Sequence, residues 1–214
     1  MSYARAQFGD DCSAAEHGAL GLMGEPQLDG DARLMLAFQQ GDQSSFEALF
    51  QKHKRAIVIF ASRFTGRVDE AEELAQEIFV KCYLAASTYE PRAKFTTWLF
   101  RIARNHCLNE VRRPARRVAG EPYDDERART APGQSPEAQA QGRALSAAVA
   151  RELAALPENQ RSALLLSREQ GMSYEEIAET MDVSIGAVKS LINRARKRLA
   201  SRLAKYMEHR HAMS

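Results

Sequence analysis

The sequence predicts an all-α chain built as two small helical domains joined by a flexible linker. Three observations carry this. Apolar residues recur at helical spacing over most of the chain, and no stretch alternates as a strand does. Four of the seven prolines (Pro114, Pro122, Pro132 and Pro136) crowd into one mixed-charge segment between the periodic ones.

Residues 1–28 are rich in Gly, Ala and acid and lack sustained periodicity, which predicts a flexible extension. Acids come early and no apolar h-region follows, so the segment does not read as a signal peptide. Its soft metal-ligand candidates, Cys12 and His17, are too few for a site. A short helix is expected over 31–40, with Leu34 and Phe38 inward and Gly41 as its stop. Asp42 or Ser44 opens the next, and Ser44 with Glu47 has the spacing of a capping box. Phe46, Leu49, Phe50, Ile57, Phe60 and Phe64 form its apolar stripe up to Thr65, and Gly66 ends it. His53 falls on that stripe, as a packed histidine does.

A third helix is expected over 69–86. Ala71, Leu74, Ala75, Ile78, Cys82 and Ala85 face inward, while Glu72, Glu73, Gln76 and Glu77 face outward. On charge alone that outer face is solvated, its acids suiting the helix N-terminus. Pro91 holds 87–94 as a loop. A fourth helix over 95–113 has Trp98, Leu99, Ile102 and His106 on one side. Arg101, Asn105, Asn109 and Arg112 follow on another, with Arg104 and Arg113 alongside. Interleaved Arg, Asn and aromatic residues suit phosphates, base edges and stacking on unpaired bases. A solvated basic face would have the same composition.

Residues 114–141 form the linker. An amphipathic helix over 143–156 runs through Leu145, Val149, Leu153 and Leu156. After Pro157 comes a buried stretch, Ala163 to Leu166, in a helix ending near Gly171. Ser173 and Glu176 form a capping box for a short helix from Tyr174 to about Met181. Asp182, Val183 and Ser184 break it, and Ser184 can N-cap the next helix. Ile177, Met181, Val183, Val188 and Leu191 are apolar where two crossed helices would bury them, and Ala178 is small where they would touch. This is the shape of a helix-turn-helix. From Val183 to Tyr206 there is no acid, while Lys189, Arg194, Arg196, Lys197, Arg198, Arg202 and Lys205 are basic. A solvated helix mixes signs for i,i+4 pairing. One-signed charge on such a helix points to DNA.

Composition sets the limits. The chain has 214 residues, 44% hydrophobic and 27% charged, so it is ordinary soluble protein. A net charge of +2 requires any nucleic-acid affinity to come from local patches. Cys12, Cys82 and Cys107 are odd in number and far apart, which favours a reducing compartment and argues against a disulfide framework or zinc module. No apolar run approaches a membrane span, so no membrane insertion is expected and the cytoplasm is the default. The first block offers no phosphate loop, nucleophile–base pair or metal set, so no catalytic residue, cofactor or metal is expected.

The combined motifs resemble the extracytoplasmic-function (group 4) class of bacterial sigma-70 factors. The residues that carry this are Gly41-Asp42-x-x-x-Phe46-x-x-Leu49-Phe50, Asp69-Glu70-Ala71-Glu72-Glu73-Leu74-x-Gln76-Glu77-Ile78-Phe79 and Tyr89-x-x-x-x-x-Phe95-x-x-Trp98-Leu99-x-x-Ile102-Ala103-x-Asn105. The second block adds Leu156-Pro157-x-x-x-Arg161, Ser173-Tyr174-x-Glu176-Ile177-Ala178 and the run from Val183 to Leu191. The match spans about 31–203 in the family's order. It implies a region 2 domain over 29–113, the linker, and a region 4 domain over 142–207 with its helix-turn-helix at 173–205, then a tail over 208–214.

The resemblance also implies roles. Leu74, Gln76, Glu77 and Phe79 match the helix that docks on core RNA polymerase, which replaces the solvated-face reading. The loop 89–95 matches one that captures a flipped base of the downstream promoter element. Lys94, Phe95, Trp98, Arg101, Arg104, Asn105, Asn109, Arg112 and Arg113 match the surface meeting that element and the melted strand. Trp98 serves there either as a stacking surface or as core. Ser184, Lys189, Ser190, Asn193, Arg194 and Lys197 match recognition-helix positions that meet the upstream element, Asn193 departing from the aromatic or basic residues often found there. The expected partners are core RNA polymerase, promoter DNA in double-stranded and melted form, and an anti-sigma factor. The expected activity is promoter recognition and melting for transcription initiation, without enzymatic chemistry. The competing reading is a stand-alone helix-turn-helix regulator. It leaves 69–113 unexplained, and tight duplex binding without polymerase would favour it.

The linker bounds the geometry. As a coil, about 28 residues span roughly 30 Å root-mean-square. Extended, they reach about 90 Å. Two DNA elements two turns apart are separated by roughly 70 Å. The free protein is therefore expected to be compact or variable, with polymerase holding the domains apart.

Overall fold

The computed structural model describes residues 29–113 and 136–212. The extension with Cys12 and His17, and most of the linker, lie outside the described residues. Eight α-helices and one 3-10 turn account for the described chain, and no strand occurs among these residues.

In the first block, α1 (Gly30–Gln39) starts at Asp29, whose carboxylate accepts from the Ala32 amide at 2.6 Å. Met35 and Phe38 bury its inner face, while Leu34 is only half-buried. Helix α2 (Gln43–Thr65) starts at Asp42. The expected Ser44–Glu47 box does not form. The Asp42 carboxylate already takes the Ser44 amide and both serine hydroxyls, and Glu47 accepts from Gln51 instead. Gly66 ends α2 with φ at 74°, a left-handed position that glycine adopts without a Cβ clash.

Helix α3 (Ala71–Ala85) begins two residues later than expected and runs into a 3-10 turn, Ala86–Thr88. Helix α4 (Phe95–Arg112) closes the block. Phe60, Phe64, Leu74, Ile78, Leu99 and Phe100 fill the space between α2, α3 and α4. Tyr89, Phe95 and Trp98 pack as an aromatic triad beside it, with centroids 5.1–6.0 Å apart.

The second block begins with α5 (Pro136–Ala154), so the last six residues assigned to the linker are helical. Proline costs nothing at the first position of a helix, where its missing N–H has no partner to lose. Leu145, expected inward, is exposed, whereas Ala148, Leu153 and Leu156 are buried. Then come α6 (Glu158–Glu169), α7 (Tyr174–Met181) and α8 (Ile185–Ala212). Helix α8 continues through most of the segment assigned to the tail. Ile177, Ala178, Met181, Val188, Ile192 and Ala195 form the buried seam of the α7–α8 pair.

The two blocks pack on one another. Arg161 of α6 is buried at the join. Its guanidinium donates to the Phe64 carbonyl at the end of α2 and to the Ala154 and Leu156 carbonyls at the end of α5. It also lies 5.3 Å from the Phe64 ring centroid. Ala154 sits against Gly66, where an added Cβ would meet the alanine methyl at 3.4 Å.

Candidate nucleic-acid and polymerase interfaces

Helix α8 presents the upstream-reading candidates. Ser184 accepts from the Ala187 amide at 3.2 Å and fixes the start of the helix. Val188, Ile192 and Ala195 are buried against the block, which turns Lys189, Asn193, Arg194 and Lys197 to solvent, with Ser190 half-buried. The Lys189 ammonium lies 5.8 Å from the Tyr174 ring centroid, which ties the recognition helix to α7. The α7 start is the expected capping box: Glu176 accepts from the Ser173 amide at 2.7 Å, and the Ser173 hydroxyl from the Glu176 amide at 3.2 Å.

The downstream candidates divide. Arg101, Asn105, Asn109, Arg112 and Arg113 are exposed along α4, and Lys94 is exposed just before it. Trp98 and Arg104 are half-buried. Phe95 is 1% exposed and belongs to the core, so it supports a pocket from behind and cannot itself stack on a base. A cleft lies between the loop and the start of α4, lined by Thr88, Glu90, Arg92, Thr97, Trp98 and Arg101, with Glu179 of α7 at its edge. Thr97 was not singled out in the sequence. Its hydroxyl is buried beside the cleft without a hydrogen-bond partner. Tyr89 lies behind the cleft, and burial together with Asp29 and Asp31 pushes its phenol up to about 12, so it stays protonated.

The polymerase-docking candidates also divide. Leu74 and Phe79 are 1% and 4% exposed and pack in the core. They hold α3 rather than offer a contact, because the stripe that fits the bundle cannot also face outward. Gln76 is exposed and Glu77 half-exposed. The outer face continues with Val80 at 57% and Leu84 at 74%, beside Tyr83. These three were missed because they prolong an already apolar helix. Only the register shows that Val80 and Leu84 miss the core, whereas the Tyr83 ring reaches back to Phe38 and Phe46 at centroid distances of 5.0 and 5.3 Å.

Glu77, His106 and Glu110 bring potential ligand atoms within 4.8 Å of one another between α3 and α4. His106 Nε2 lies 2.8 Å from Glu77 Oε2. Burial, opposed by Glu77, holds His106 below its ordinary value. Two guanidiniums already attend Glu110: Arg113 at 2.9 Å and Arg67 at 4.0 Å. Their charge opposes a cation there. Burial pushes the Cys82 and Cys107 thiols up to about 12, with Glu110 adding to the effect on Cys107, so both are unreactive core residues.

Thus a basic recognition helix and a basic, aromatic-edged helix with a cleft stand on one chain. Comparison with known families decides what this is. Residues 49–117 match Sigma-70 region 2, and residues 146–199 match Sigma-70, region 4.

The chain belongs to the sigma-70 family of RNA polymerase sigma factors.

The relatives place this sigma factor in the extracytoplasmic-function group. It is 34% identical over 174 residues to the RNA polymerase sigma-H factor of Pseudomonas aeruginosa, covering 78% of this chain and 90% of that protein. It is 31% identical over 172 residues to the ECF RNA polymerase sigma factor SigW of Bacillus subtilis, covering 77% and 92%. The solved structure of CnrH in complex with the cytosolic domain of CnrY is similar at a TM-score of 0.63 and 26% identity, covering 83% of this chain and 99% of that one. The sigma factor RpoE in complex with the anti-sigma factor NepR from Bartonella quintana is similar at 0.59 and 25% identity, covering 74% and 96%. The family resemblance read from the motifs is borne out. No helix among the described residues is long and apolar enough to cross a membrane.

Proposed function

We propose that this sigma factor binds core RNA polymerase, recognises a two-part promoter and promotes melting of its downstream part. The observation that carries the reading is the pairing, on one chain, of two different DNA-facing surfaces. Region 4 offers a duplex reader, the exposed Lys189, Asn193, Arg194 and Lys197 of α8, with Ser190 beside them and Ser184 at the helix start. Region 2 offers Arg101, Arg104, Asn105, Asn109, Arg112 and Arg113 on α4, with Lys94 before it. Beside them lies a cleft edged by Trp98 and Thr97, of the kind that holds an unstacked base. Melting here is differential binding: bases held in protein contacts offset the stacking they lose.

The docking surface on polymerase is the outer face of α3, with Gln76 and Glu77 joined by Val80 and Leu84, on the framework set by Leu74 and Phe79. The factor supplies no catalytic residue; nucleotidyl transfer belongs to the polymerase. It acts in the cytoplasm, and its similarity to a sigma factor solved with an anti-sigma factor supports control by one of its own. Region 2 takes 29–113 and region 4 runs from α5 onward. Run-off transcription with purified core polymerase over a promoter library tests the whole reading. Transcripts that depend on the factor and start a fixed distance from two shared sequence elements are expected. Tight binding to duplex DNA without polymerase, and no transcripts with it, would favour a stand-alone regulator.

A further inference from the structure

The downstream-reading surface is not empty in the folded chain; region 4 lies on it. Lys94 Nζ is 2.6 Å from Glu176 Oε1 of α7. Arg112 grips Glu158 at the start of α6, with Nε and Nη2 at 3.1 and 2.7 Å from Oε2. Arg104 donates to Asn159 Oδ1 at 2.9 Å and to the Ser162 hydroxyl at 3.2 Å. Glu179 stands at the edge of the base cleft, beside Trp98 and Arg101. Carboxylate and amide oxygens offer Arg and Lys the same acceptor chemistry as phosphates and base edges.

The coverage is selective. The outer faces of α3, at Gln76, Val80 and Leu84, and of α8, at Lys189, Asn193 and Arg194, stay exposed. It is also anchored beyond its ion pairs, by the buried Arg161 on the Phe64 carbonyl and by Ala154 against Gly66.

We infer that region 4 is an internal competitor of the melted strand: Glu158, Asn159, Glu176 and Glu179 occupy the groups of region 2 that a single strand would contact, so the free factor is closed to downstream DNA while open to polymerase. The inference rests on the proposed assignment of α4 to DNA. The charged contacts sit in solvent and are weak and salt-screened. The closed form therefore lowers affinity for a strand by its population rather than abolishing it.

The test uses the full-length factor. Zero-length carbodiimide coupling should join Lys94 to Glu176 in the free protein, seen by peptide mass spectrometry, and the product should fall when core polymerase is added. Binding of a short fluorescein-labelled oligothymidine, followed by anisotropy at low salt, reads the competition. The variant E158Q/E176Q/E179Q keeps an N3 residue able to complete the α7 cap. It should bind more tightly, by up to about ten-fold if the open form is roughly a tenth of the population, the Arg161 and Ala154 contacts holding back part of the gain. The variant E47Q/E72Q/E175Q removes the same charge elsewhere and should change binding far less. Absence of the Lys94–Glu176 product in free protein, or equal tightening in both triple variants, overturns the inference and leaves the assignment of α4 standing. Adding Arg101→Ala to the open variant separates the two ideas: weakened binding is expected, and unchanged binding removes the DNA role of α4 and the inference with it.

Discussion

At the scale of single residues, the buried polar groups say most. Arg161 is 5% exposed and serves three carbonyls in two blocks. Arg161→Ala leaves those acceptors without their charged donor, and the expected cost is about 3 kcal/mol. Arg161→Lys keeps the charge but not the planar fork, so it should recover only part of the loss. Urea unfolding followed by helical circular dichroism checks both. Asp31 offers a pH test. Burial pushes its carboxyl up, but hydrogen bonds from Lys52 at 2.5 Å and His53 at 2.9 Å prevail and hold it below its ordinary 3.8. The folded form then binds this proton less readily than the unfolded one. Its stabilisation is complete above the unfolded value and is lost as pH falls through the lower folded value. Asp31→Asn should cost about 1 kcal/mol at neutral pH and flatten the loss of stability below about pH 4. An unchanged acid limb would show that the two hydrogen bonds do not form. The arginine motif could be seen in the sequence, but its partners could not: backbone carbonyls have no signature, and Phe64 lies far away along the chain.

At the scale of elements, the helices were legible because burial imposes a 3.6-residue period and their ends need particular residues. The Ser173–Glu176 box and the Gly66 stop are where the sequence puts them. Ser44 and Glu47 had the same spacing, but Asp42 is the stronger acceptor and took the cap. Motif matching could not separate the two faces of α3. It assigned Leu74 and Phe79 to a contact because the family motif contains them, whereas packing buries them. This gives opposite expectations for two leucines on one helix. Leu84→Asp alters an exposed residue and should leave the unfolding midpoint nearly unchanged. If Leu84 is buried on polymerase, the variant loses about 2 kcal/mol of binding, roughly thirty-fold in Kd. Leu74→Asp should instead unfold region 2. Calorimetry on each variant, with polymerase affinity from fluorescence anisotropy, tells them apart. Full affinity in Leu84→Asp would move the docking site off this face.

At the scale of the molecule, the two-block plan was legible from the proline-rich break, and linker length left the free chain either compact or variable. How the blocks meet was not. Besides the buried Arg161 and the Ala154–Gly66 contact, the blocks meet through polar pairs between residues that each look solvated, such as Arg112 with Glu158 and Lys94 with Glu176. Nothing in the period of either helix marks them. Their placement fixes an order of events that can be measured. On the proposed docking assignment, the outer face of α3 is already exposed in the closed form, so first contact with polymerase needs no opening. If region 4 must leave α4 for both domains to engage, as the inferred competition requires, final affinity includes opening. The variant E158Q/E176Q/E179Q should therefore associate with core polymerase at the wild-type rate, within about two-fold, and dissociate more slowly by up to roughly ten-fold. Stopped-flow fluorescence of labelled factor mixed with excess polymerase reads both rates. An association rate that rises instead with the opening mutations would mean that the closed form hides the docking face, and that opening precedes capture by polymerase.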